Sequence, residues 1–249
     1  MNKPSVLASL LGLLLCVVLS GLLLYPADAA EVISTLGPGT GTVTNPEREE
    51  PCGWLRLNSD ETYENGYAWT YQGMVPPYYG AFAEYFPGGQ PEVCAIVLDL
   101  TTIAPRTNFM DAYIWDDDNG RPGSVLCMTP DVYIEGVARW PAISRHVVAL
   151  EPYCYPEGAW WAGYWGHWRG VASWWVGADV EGEGEAGRPF NNIAPGLGYP
   201  TGWQSVDVVF GPTRSIGIGI LAHTLLPSAA PEEGRQALGS WGRIKGLYR

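Results

Sequence analysis

The chain has 249 residues and carries 26 acidic against 14 basic side chains, a net charge of −12 at neutral pH. That balance argues against nucleic acid and anionic membrane surfaces as partners, since both need a basic face. The 32 glycines, 21 prolines, 12 tryptophans and 14 tyrosines describe aromatic-rich strands cut by tight turns, an all-β composition.

Residues 1–30 read as a secretory signal. Lys3 supplies the positive start, Val6 to Leu24 is an almost unbroken apolar run, Pro26 breaks it, and Ala27-Asp28-Ala29 is a small-x-small cleavage site. The run is long enough to span a bilayer, so retention as an anchor is the alternative, and this segment is the one membrane contact expected. Cys16 follows Leu15 and lacks the small residue that a lipidation site needs. The expected destination is the cell surface or the medium, with the export machinery as an implied partner. Residues 31–51, rich in Gly, Pro and Thr without apolar periodicity, read as a flexible leader.

Four cysteines follow the signal: Cys52, Cys94, Cys127 and Cys154. An even number in an exported chain allows two disulfides, in any of three pairings that the sequence does not rank. No pair has the close spacing of a zinc knuckle. Buried free thiols are the alternative, because Cys94 and Cys127 stand in strand-like apolar runs.

Residues 52–225 read as one β-sandwich domain. Strands are expected at Tyr67–Gln72, Tyr79–Phe86, Val93–Leu100, Met110–Trp115, Ser124–Thr129, Arg145–Leu150, Ala159–Gly166, Ser173–Ala178, Ser205–Phe210 and Ser215–His223. Pro87-Gly88-Gly89, Asp118-Asn119-Gly120 and Pro122-Gly123 mark turns between them. About ten short strands at this spacing suggest a single jelly-roll-like, two-sheet antiparallel sandwich. Residues 226–239 read as a linker and 240–249 as a basic, aromatic tail.

Three constellations carry chemistry. In Trp115-Asp116-Asp117-Asp118-Asn119-Gly120, crowded oxygens at Asp116 and Asp118 suit calcium, whereas Asp, Asn and Gly equally suit a hairpin turn. Asp179, Glu181 and Glu183, continued by Glu185, alternate with small or apolar residues; a cation or plain solvation would relieve their repulsion. The aromatic block Trp160, Trp161, Trp165, Trp168, Trp174 and Trp175 is the candidate ligand face. On the strand 159–166, Trp161 and Trp165 share one side and Trp160 and Tyr164 the other. One side must fill the core; the other either stacks a ligand such as a glycan or lies under loops.

The run from Tyr113 to Leu126, with Trp115-Asp116-Asp117 and Gly120-Arg121-Pro122-Gly123, resembles a hairpin common in exported bacterial jelly-roll domains. Glu64 to Trp69, Val75 to Glu84, Ala159 to Gly166 and Asn192 to Trp203 extend the likeness over most of 64–220. They resemble an uncharacterised family of secreted bacterial proteins, which implies the fold and no activity. The ending Trp241-Gly242-Arg243-Ile244-Lys245-Gly246-Leu247-Tyr248-Arg249 is similar to W-G-x-I-K-x-L-Y/F-R endings of other exported proteins. That similarity implies a recognition role for Trp241, Ile244, Lys245 and Tyr248 in export or surface attachment; a tail that docks on its own sandwich or is disordered is the alternative.

Catalytic signatures are sparse. No H-E-x-x-H, G-x-S-x-G or Walker pattern occurs, and the acidic alternation lacks the acid-x-acid-x-x-acid order of jelly-roll glucanases. Of three histidines, His167 beside Trp165 and Trp168 could serve a ligand face, but the favoured reading of each is a structural residue. The leading expectation is an exported, non-catalytic protein that binds a surface ligand. A purely structural envelope protein stands second and a glycan-active hydrolase using paired carboxylates third.

Overall fold

In the computed structural model, residues 32–44, 52–70, 79–104, 108–167, 173–181 and 187–223 are described. Among these residues, apolar stretches that alternate or run between glycine and proline breaks become strands. They are β1 (Val32–Thr35), β2 (Gly41–Val43), β3 (Trp54–Arg56), β4 (Thr62–Tyr63), β5 (Asn65–Thr70) and β6 (Phe82–Phe86). The long strands β7 (Glu92–Thr101), β8 (Asn108–Asp117), β9 (Pro122–Ile134) and β10 (Ala142–Cys154) follow. Then come β11 (Trp160–Gly166), β12 (Trp175–Asp179), β13 (Phe190–Ile193), β14 (Gly202–Ser205), β15 (Ser215–Ile216) and β16 (Ile218–His223). One turn of helix, α1 (Asp207–Phe210), interrupts them.

The strands form a ten-stranded and a six-stranded sheet. Within the ten-stranded sheet β5-β12-β7-β10 are neighbours, and the six-stranded sheet runs β14-β13-β6-β11-β8-β9. From β5 to β12 each successive strand crosses to the opposite sheet, except at the β8–β9 hairpin, which is the strand order of a jelly roll. The pairings are antiparallel apart from the short parallel contact of β2 with β10. The β8–β9 turn follows from its residues: Asn119 and Gly120 both have positive φ, and Asp118 N–H donates to the Arg121 carbonyl. Two left-handed residues in a two-residue loop match the twist of the flanking strands.

Two expectations are corrected. The leader 31–51 contains two strands: β1 pairs with β5 over Val32–Thr35, and β2 is held between β10 and β4. Backbone pairing, which composition does not show, holds residues 32–35 and 41–43. The strand expected at 205–210 is mostly helix, because Val206 and Phe210 satisfy a four-residue spacing as well as an alternating one. As one helical turn, this segment buries Val206 and stacks Phe210 on Tyr67, ring centroids 4.4 Å apart.

The main core lies between the sheets, where Trp69, Phe82, Phe86, Ile96, Leu98, Ile114, Trp160, Tyr164 and Ile218 are enclosed. Disulfide Cys127–Cys154 pins β9 of one sheet to β10 of the other, and Cys52–Cys94 pins the start of β3 to β7. Both sulfur bridges belong to an oxidising compartment. No helix among the described residues is long and apolar enough to cross a membrane.

Two buried polar centres lock the frame. Asp99 accepts Arg145 Nε and Nη2, both at 2.8 Å, and the Tyr63 hydroxyl at 2.6 Å, while Arg145 Nη1 reaches Glu61 at 2.7 Å. The Tyr63 ring lies against Gly177, where a Cβ would come within 2.7 Å of it. Each charge has its partner, so this network is satisfied rather than poised for chemistry. Glu84, wholly enclosed, accepts backbone N–H groups of Tyr85, Arg188 and Ile216. Burial pushes its carboxyl up to about 7, against which those three donors work.

The loops closed by the disulfides span 42 and 27 residues, worth about 3–4 kcal/mol each by chain entropy. A Cys127→Ser, Cys154→Ser double variant should lose about 3 kcal/mol in urea denaturation; a loss under about 1 kcal/mol contradicts the bridge between sheets. The unfolded chain releases the Glu84 proton near 4.5, whereas the folded chain holds it to about 7. Stability should therefore fall as pH rises through that window, by up to roughly 3 kcal/mol. Glu84→Gln should flatten the slope, as measured by denaturation at pH 4.5 and pH 8.

Candidate functional site

Strand β11 carries large rings on both sides, and both sides are covered. Trp160 and Tyr164 enter the core between the sheets, with Trp160 stacked on Phe86 at 4.7 Å. Trp161 and Trp165 face the other way and join Tyr113, Trp115, Ala81 and Ala83 in a second core, roofed by Tyr85, Phe190 and Trp203. Trp203 on β14 meets Trp115 on β8 at 5.3 Å, although three strands intervene in the sheet order. The outer face of the six-stranded sheet is therefore concave, and its aromatic rings meet across the hollow.

This corrects the expected aromatic platform. Trp160, Trp161, Trp165, Trp174 and Trp175 are at most 6 % exposed: Trp160, Trp174 and Trp175 belong to the core between the sheets, and Tyr85, Phe190 and Trp203 cover Trp161 and Trp165; Trp168 lies outside the described residues. Trp161 Nε1 donates to Asp117 Oδ1 at 2.8 Å and Trp165 Nε1 to the Tyr79 carbonyl at 3.0 Å, so even their polar edges point inward.

The expected metal positions do not converge either. Asp116 Oδ1 accepts the Ser124 N–H and Asp118 Oδ1 accepts Asn119 Nδ2, which makes both part of the turn. Asp179 is buried at the end of β12, where its Oδ2 accepts Asp60 N–H and the Ser215 hydroxyl, and burial pushes it up to about 6. Glu181 is exposed, with its N–H on Glu64, and Glu183 lies outside the described residues. So do Trp241, Ile244, Lys245 and Tyr248 of the tail. His146 is buried against Ser144 Oγ at 2.8 Å, an ordinary structural histidine.

Beyond the aromatic hollow, the same concave face opens. Along β8 the residues on this side run Trp115, Tyr113, Asp111, Phe109, and along β11 they run Trp161, Gly163, Trp165, with His167 just past the strand. His167 N–H donates to the Phe109 carbonyl at 2.9 Å, which continues the ladder and sets the imidazole beside Asp111. On the other flank β9 places Tyr133 opposite Phe109, ring centroids 5.3 Å apart. Exposure rises steadily outward: Asp111 and His167 side chains are 11 % and 17 % exposed, Phe109 and Tyr133 44 % and 47 %, and the Asp131 side chain 77 %.

A bulge brings Asp131 to this place. Met110 pairs with Val132 and Ala112 with Thr129, so Asp111 faces two residues, Pro130 and Asp131. Asp131 takes positive φ, and its N–H donates to Asp111 Oδ1 at 2.9 Å. Tyr113 OH donates to Asp111 Oδ2 at 2.9 Å and fixes the other oxygen. His167 Nε2 stands 2.8 Å from Asp111 Oδ1 and Nδ1 3.5 Å from Asp131 Oδ1. Among the described residues this is the one group of three such donors close enough to share an ion.

Reading by residue type weighs His167 but sets it aside as structural, and misses Asp111, Asp131, Phe109 and Tyr133. Phe109 and Asp111 look like ordinary strand alternation, and Asp131 follows a proline twenty residues away. Only the bulge and the register join them.

Searches of protein-family models, curated proteins and solved structures find no match to this chain. The reading of the site rests on its own geometry.

The two aromatic groups should respond differently to truncation. Trp161→Ala should cost about 3–5 kcal/mol of stability, whereas Phe109→Ala and Tyr133→Ala should each cost about 1 kcal/mol or less. Thermal or chemical denaturation of the three variants measures this, and a near-neutral Trp161→Ala contradicts the second core.

Proposed function

We propose that the chain is an exported, non-catalytic jelly-roll protein that binds an extracellular or cell-surface ligand, a glycan being the favoured class, at the open end of its concave face. The observation that carries this reading is the half-exposed Phe109–Tyr133 pair, set directly beside the carboxylates of Asp111 and Asp131. Exposed rings offer flat apolar contact to the C–H faces of a sugar, and adjacent carboxylates accept its hydroxyl hydrogens. The hollow supplies concavity without exposing the tryptophans. Export is supported by the signal-like residues 1–30 and by two disulfides in the folded domain.

A structural envelope role is the second reading, favoured by the burial of all five described indoles of the aromatic block. Among the described residues the geometry does not favour hydrolysis: Asp111 is held in place by Tyr113 and the Asp131 backbone, and Glu84 is sealed from solvent.

A glycan array, followed by calorimetric titration of the best glycan, separates the two readings. The binding reading expects saturable binding that weakens at least tenfold in a folded Phe109→Ala, Tyr133→Ala variant. No binding across the array, or binding indifferent to both rings, leaves the structural role.

A further inference from the structure

The Asp111, Asp131 and His167 cluster has a feature that a plain ion pair does not explain. His167 Nε2 is shielded from solvent and makes no hydrogen bond, although Asp111 Oδ1 is only 2.8 Å away. At that distance the oxygen must lie well off the ring N–H direction, too oblique for a hydrogen bond. Two donors about 2.0–2.1 Å from one metal ion, at angles between octahedral and tetrahedral, stand roughly 2.8–3.4 Å apart. The observed separation falls at the short edge of that arrangement.

We propose that Asp111, Asp131 and His167 bind a divalent first-row transition-metal ion at the open end of the concave face. His167 Nε2 and Asp111 Oδ1 form the fixed part of the site. Tyr113 OH and the Asp131 N–H hold the Asp111 carboxylate in place, as outer hydrogen bonds commonly orient metal ligands. Asp131, at the bulge with an exposed side chain, supplies the third donor and closes on the ion by a rotation about its own side-chain bonds. An imidazole with two carboxylates suits zinc or manganese and disfavours calcium, whose ligands are oxygens throughout. With three protein donors, further coordination positions remain toward solvent and toward the Phe109–Tyr133 pair. The ion site stands on its own geometry, and either it or the glycan reading can fail without the other.

The test is a calorimetric titration of the disulfide-bonded mature chain with zinc alone, and then with calcium alone. The expected result is one zinc equivalent, no calcium heat, and at least tenfold weaker zinc binding in Asp131→Asn and in His167→Gln. Asp116→Asn and His223→Gln should leave the affinity unchanged. Asp131 is exposed, so its variant keeps the fold, as near-ultraviolet dichroism would verify, and it decides the question if His167→Gln destabilises the protein. Absence of stoichiometric zinc binding, or equal affinity in the folded Asp131→Asn variant, overturns the proposal. Phe109→Ala with Tyr133→Ala should abolish any glycan signal while zinc binding persists, which keeps the two readings apart.

Discussion

The structure depends on the six-stranded sheet being packed on both faces. A sandwich needs only one apolar face per sheet, yet β11 carries rings on each side, and each side has a cover. The inner rings meet the ten-stranded sheet. The outer rings meet one another across a concave hollow, with Phe190 and Trp203 folded over from β13 and β14. This double burial explains how, among the described residues, a chain so rich in tryptophan presents few of them to solvent. It also confines any accessible surface on that face to the end where the aromatic roof stops.

That end is chemically different for a backbone reason. The β8–β9 bulge sets one residue of β8 against two of β9 and turns the Asp131 backbone toward Asp111. The ladder continues one residue past β11 and places His167 beside them. Three polar side chains and two half-exposed rings thus gather where buried aromatic packing gives way to water. The disulfide between β9 and β10 fixes the strand that carries Asp131 and Tyr133 to the opposite sheet, so the site rests on a stapled frame.

Much of the fold was legible in the sequence, and for definite reasons. Period-two patterns and glycine-proline breaks located nine of the ten expected strands, and Asn119-Gly120 announced its turn because both residues tolerate positive φ. The tenth, 205–210, misled because its apolar spacing fits two periods. The strands at 32–35 and 41–43 were hidden because backbone pairing with β5, β10 and β4 holds them. For the site, residue type pointed to the most conspicuous groups, the paired tryptophans and the aspartate run. The tryptophans were taken by the core and the aspartates by the turn. What gathers at the open end is ordinary in sequence, and it is assembled by register and by a bulge that local patterns do not encode.

Hydroxyl-radical footprinting of aromatic side chains in the folded protein tests this arrangement most directly. The account predicts strong labelling of Phe109 and Tyr133 and protection of Trp160, Trp161, Trp165, Trp174 and Trp175. Labelling of Trp161 and Trp165 at the level of Tyr133 would show that the hollow is open and that the second aromatic core does not exist.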